Sequence, residues 1–101
     1  MTTVKDTQKN KVTTTIKPPP MYAVLLHNDD FTTMDFVEEV LQRFFAMDMM
    51  KARSVMLEVH TKGEAICGVY TYDIAQTKVS LVLNFSADHG QPLQCSCRPI
   101  D

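Results

Sequence analysis

Residues 21–45, MYAVLLHNDDFTTMDFVEEVLQRFF, change from an apolar run to a helical period across one polar turn. Met21 to His27 is a short, mostly apolar run, consistent with a buried strand. Asn28-Asp29-Asp30 interrupts it with residues that favour turns. Thr32 or Thr33 can then cap a helix; Thr32-x-x-Asp35 resembles a capping box, with Asp where Glu or Gln is usual. Phe36, Val37, Val40, Leu41, Phe44 and Phe45 follow at helical spacing, with Glu38, Glu39, Gln42 and Arg43 between them. A strand therefore hands over to an amphipathic helix across one polar turn.

Outward from this unit, Asp48 can cap a second helix whose buried stripe is Ala52, Val55, Met56 and Val59. Gly63 fits the position just after its end. Glu64 to Tyr70 reads as a strand with Gly68 tolerated inside it. Thr71 or Asp73 starts a third helix that turns Ile74, Ala75, Val79, Val82 and Phe85 inward, and Gly90 and Pro92 mark its stop. Leu93 to Cys97 is a last short strand. The expected order is β-α-α-β-α-β. It describes an α+β sandwich in which a three-stranded antiparallel sheet packs against three helices. Upstream, Met1 to Lys17 is rich in Thr and Lys and has no period, and Pro18-Pro19-Pro20 forms a stiff spacer. Residues 1–20 are expected to be a mobile N-terminal extension, and residues 21–101 a single domain.

Composition narrows the function classes. The chain has 101 residues, 45% hydrophobic and 22% charged, as in an ordinary folded domain with a modest core. A formal charge of -2 supplies no basic field for nucleic acid or anionic lipid. No run is apolar enough to span a bilayer, and no apolar segment follows the N-terminal lysines as in a secretory signal, so a cytoplasmic location is expected; the chain is also expected to be a monomer. Cys67, Cys95 and Cys97 are odd in number and lack partner ligands at metal spacing; they read as reduced, structural thiols. No cofactor or metal is expected.

Two places can carry chemistry. The first is Asn28-Asp29-Asp30, at the junction of strand and helix. The second is His60, four residues after Met56 and thus on the same helical face, with Val59 beside it. Met34 and Val37 stand on the first turn of the first helix. If that turn approaches the second helix's end, an apolar cup forms, rimmed by an amide, carboxylates and an imidazole. Each residue also has a plainer reading. Asn-Asp-Asp before a helix can be turn and cap chemistry, His60 can answer a helix dipole, and Met34, Val37 and Met56 can be core.

The chain also resembles the ClpS family from about Lys17 to Pro92. The resemblance is carried by Pro18-Pro19-Pro20-Met21-Tyr22, Asn28-Asp29-Asp30-Phe31-Thr32, Met34-Asp35-Phe36-Val37, Val59-His60, Lys62-Gly63, Ala65-Ile66-Cys67-Gly68-Val69 and Ala75-Gln76-Thr77-Lys78-Val79. It implies a fold like the C-terminal domain of a ribosomal stalk protein. It also implies an adaptor that binds proteins beginning with Leu, Phe, Tyr or Trp (N-degron substrates) and passes them to the unfoldase ClpA. By position, the resemblance assigns Asn28, Asp30 and His60 to the substrate's α-amino group, with Asp29 close by. Thr32, Met34, Val37, Met56, Val59 and Leu93 would line a side-chain pocket with Met34 as gatekeeper, and Asp73 and Lys78 would touch the unfoldase. His27, usually aliphatic in the family, Thr33, where Pro is common, and Cys95-Ser96-Cys97-Arg98-Pro99 depart from the pattern. His27 adds a titratable group near the site.

These residue types suit that ligand. A free α-amine, with a pKa of about 7.7–8.0, is mainly an ammonium with three donors at neutral pH. An amide oxygen, a carboxylate and a neutral imidazole nitrogen can accept from it. Hydrogen bonds to a charge contribute roughly 1.5–3 kcal/mol each, and burial of a Leu or Phe side chain roughly 1.5–3 kcal/mol. An association cost of roughly 4–15 kcal/mol opposes them and leaves affinity in the micromolar range. Protonating the imidazole removes an acceptor, so binding is expected to weaken on acidification. Side chains branched at Cβ, Val and Ile, are expected to clash at Met34. Two other classes remain for comparison: an enzyme using Asp29, Asp30 and His60 as a metal or acid–base set, for which no nucleophile motif or phosphate loop is present, and a stalk-type docking domain using helix surfaces without a pocket.

Overall fold

The computed structural model describes residues 17–100. The elements run β1 (Met21–His27), α1 (Met34–Phe45), α2 (Met49–Lys62), β2 (Glu64–Thr71), α3 (Tyr72–Asp88) and β3 (Gln94–Ile100). The apolar run of β1 makes it the central strand, in the order β2-β1-β3 with both pairings antiparallel. Ala23, Val24 and Leu26 are fully buried and Leu25 nearly so. Val24 and Leu26 join the core beneath the helices, while Ala23 and Leu25 alternate onto the opposite face. There Arg98, paired in register with Ala23, reaches Glu64, paired with His27, at 3.2 Å across the central strand.

The pairing of β1 with β2 slips between Val24 and Leu25, which leaves Cys67 as a bulge residue whose side chain still enters the core. Beside it, Gly68 leaves room for the Tyr70 ring, which lies where a Cβ would stand. On β3, Cys95 and Cys97 stand opposite Leu26 and Val24 and share their face. All three cysteines are free thiols. Burial, reinforced by the neighbouring thiols, pushes Cys67 and Cys95 up to about 12, so both stay protonated at neutral pH.

The helices and the last strand follow the expectations, apart from the Thr32–Asp35 capping box, Ile74 and the extent of the strand. Of the two candidate threonines, Thr33 is the N-cap of α1: its hydroxyl accepts from the Phe36 amide at 3.2 Å. Thr32 is already engaged in the preceding turn, so the Thr32–Asp35 capping box does not form. Ile74, expected inward, is 50% exposed, because α3 presents Ala75, Val82 and Ser86 to the core and Ile74 lies off that line. The final strand is longer than expected and runs on to Ile100. Asp48 caps α2 by accepting from Lys51, and Gly63 closes it in the left-handed region at φ 91. Among the described residues no helix is long and apolar enough to cross a membrane. Most of the extension expected over residues 1–20 lies outside the described residues.

Candidate functional site

One backbone hydrogen bond joins the two sequence clusters. The Asn28 amide donates to the Gly63 carbonyl at 2.9 Å, and the Gly63 amide donates back into α2, to Val59, at 3.0 Å. The end of β1 is thus tied to the C-cap of α2. His60, in the last turn of α2, comes beside the Asn28-Asp29-Asp30 turn.

The turn itself is built by Asp29. One carboxylate oxygen accepts from the amides of Phe31 at 2.8 Å and Thr32 at 2.7 Å, and the other from the Thr32 hydroxyl at 2.7 Å. Partial burial alone would raise the acid's pKa, but these three donors outweigh it and hold the group below the usual carboxylate value. Asp29 is therefore committed to the frame. Asn28, Asp30 and His60 are exposed, and their side chains make no hydrogen bond among the described residues.

Between these groups lies a hollow of about 400 Å³. Asn28, Asp30 and His60 stand at its rim, and Val37, Met56 and Val59, each at most 6% exposed, supply the apolar wall. Thr32 and Met34 complete the side toward α1, where Met34 is 46% exposed and overlooks the opening. Phe31 and Thr33 also line it, which the sequence reading did not foresee. Phe31 is 81% exposed, an unusual position for a Phe; its place in the lip beside the polar turn was the available signal. The volume is at the small end of the roughly 300–1,000 Å³ typical of ligand pockets. The arrangement can accept hydrogen bonds from a compact cation at the rim while an adjoining apolar side chain leaves water.

Residues 17–96 match the family described as ATP-dependent Clp protease adaptor protein ClpS. The chain belongs to the ClpS family. It is 52% identical over 90 residues to the ATP-dependent Clp protease adapter protein ClpS of Vibrio atlanticus (strain LGP32), covering 89% of this chain and 85% of that protein. It is 55% identical over 85 residues to the same adapter from Xylella fastidiosa (strain M12), covering 84% and 80%. The solved structure of Agrobacterium tumefaciens ClpS2 bound to L-phenylalaninamide superposes with a TM-score of 0.80 at 36% identity, covering 82% of this chain and all of that one. ClpS proteins are adaptors of the Clp protease and not enzymes.

The ClpS resemblance also named three residues that do not line the hollow, of which only Leu93 was expected there. Leu93, expected in the pocket, is 2% exposed within the main core and does not line the hollow. Asp73 is exposed on the first turn of α3, away from the hollow. Lys78 is partly buried: its ammonium donates to the Phe44 carbonyl at 2.6 Å and lies 5.6 Å from the Tyr70 ring centre and 5.8 Å from that of Phe45. His27, the departure from the ClpS pattern, does not line the hollow either. Its Nε2 is hydrogen-bonded to Ser96 Oγ at 2.7 Å, and its Nδ1 lies 3.4 Å from Glu64.

Proposed function

We propose that this chain is an adaptor that binds the free N-terminal amine and bulky apolar first residue of cytoplasmic proteins and delivers them to the ClpA unfoldase. The preferred first residues are Leu, Phe, Tyr and Trp. One observation carries the reading: Asn28, Asp30 and His60, none engaged within the described chain, stand together at the mouth of a hollow walled by Val37, Met56 and Val59. L-phenylalaninamide, the ligand in the structure of the related ClpS2, has a free α-amine, a benzyl side chain and an amide where a peptide would continue. It supports the same division of labour here.

In this reading the ammonium donates to the Asn28 amide oxygen, the Asp30 carboxylate and a neutral His60 nitrogen. The first side chain enters against Val37, Met56 and Val59, and Met34 at the opening excludes branching at Cβ. Asp73 offers an exposed carboxylate for unfoldase contact, while Lys78 would contribute only by the edge of a group already bound to the fold.

Fluorescence polarisation of a Leu-initiated peptide against its N-acetylated form tests this. Acetylation removes the charge and two donors, and the prediction is a loss of binding of at least about 100-fold. Equal affinity would reject the pocket and favour a docking domain that uses only helix surfaces.

A further inference from the structure

Four amides in the lip of the hollow, residues 28–33, are satisfied in two different ways. Phe31 and Thr32 donate to Asp29, inside the lip itself, which sets its shape but not its place. Two other bonds reach distant elements. At one end Asn28 donates to Gly63, at the C-cap of α2. At the other, the Thr33 amide donates to Gln91 Oε1 at 3.2 Å, from a residue between α3 and β3. Gln91 is itself held, because its amide donates to the Ser86 carbonyl at 2.9 Å. Ring packing supports the same join: Phe36 on α1 stacks on Phe85 at 5.4 Å and meets His89 at 5.8 Å.

We propose that Gln91 is a positioning residue for first-residue selectivity, pinning the Thr33 end of the lip so that Met34 keeps a fixed distance from the α2 wall. The inference rests on the function proposed above. Met34 follows Thr33 directly and opens α1, so a shift of the Thr33 amide moves the gatekeeper before it moves the buried wall. The pin at Asn28 is unaffected, and the amine site should therefore survive loss of the pin at Gln91. A gate free to withdraw admits a side chain branched at Cβ.

The test measures affinities for peptides beginning with Leu and Val in the intact protein. Gln91→Ala should reduce the Leu-over-Val preference by roughly three- to tenfold, the range expected from losing one hydrogen bond, while Leu binding changes less. Gln91→Glu keeps an acceptor of equal reach and should restore the preference. Thr33→Pro removes the donor and tolerates the local φ of -74° but also deletes the hydroxyl that caps Phe36, so the comparison is made within that background, where adding Gln91→Ala should leave the preference unchanged. An unaltered ratio in Gln91→Ala, or an equal fall in the proline background, would overturn the assignment. A residue serving stability alone would lower the melting temperature without moving the ratio. Amide exchange gives a readout without ligand: Thr33 should exchange faster in Gln91→Ala, and an unchanged rate would also overturn the proposal. If the parent protein fails to distinguish free from acetylated peptide, the functional reading fails, and this exchange measurement still decides the role of Gln91.

Discussion

The lip of the hollow and the junction of α1 with α3 around Lys78 use polar side chains in opposite ways. In the lip, Asp29 takes up the loop's own donors, and its neighbours Asn28 and Asp30 remain open to an outside partner. At the junction the charged group is turned inward, where the Lys78 ammonium satisfies a carbonyl of the last turn of α1. The difference separates charged residues whose hydrogen-bond partners lie within the fold, Asp29 and Lys78, from Asp30, which has none among the described residues.

The largest expected effect lies at the open groups. Asp30→Ala should weaken binding of a Leu-initiated peptide roughly 10- to 100-fold with little change in melting temperature. Comparable binding, or a large loss of stability, would move Asp30 to the frame beside Asp29. The junction predicts the reverse. Lys78→Met should lower unfolding stability by about 1–2 kcal/mol, measured by denaturant titration, and leave peptide affinity unchanged. A variant of parental stability would mean that Lys78 is free to serve a partner.

Asp29→Asn probes the lip itself and should cost about 1 kcal/mol at neutral pH. The folded protein holds this carboxyl below its ordinary value of 3.8. Its stabilisation is therefore present above that pH and lost as pH falls through the lower, folded-state value. Parent and variant should accordingly converge in strongly acidic solution, and a gap that persists there would contradict a role for the ionised form.

Much of this architecture was legible because local signals agreed with one another. The apolar run of β1, the helical period of α1 and the Asp48 and Gly63 caps each pointed to the observed element. The cap of α1 was harder to read. Thr32 and Thr33 are equivalent in propensity, and only the Asp29 carboxylate, by engaging Thr32, leaves the cap to Thr33. Asn28, Asp30 and His60 could be named as candidates, but their meeting depends on a bond between residues 28 and 63, which no local pattern encodes. Leu93 illustrates the other limit: the resemblance assigned it to the pocket by position, but it shares the core with Val37, Met56 and Val59 without reaching the hollow that they line. Gln91 carries no signal at all in the sequence, since its partner is a backbone amide 58 positions away.

The most direct test of the account is a titration of the isotopically labelled protein with L-leucinamide, followed amide by amide in NMR spectra. Saturable shifts should be confined to Asn28–Val37 and to the end of α2 from Met56 to Gly63, the two segments that line the hollow, with Asp73 and the outer face of α3 unmoved. Shifts centred on α3, or none at millimolar ligand, would contradict recognition of an N-terminal residue at the hollow.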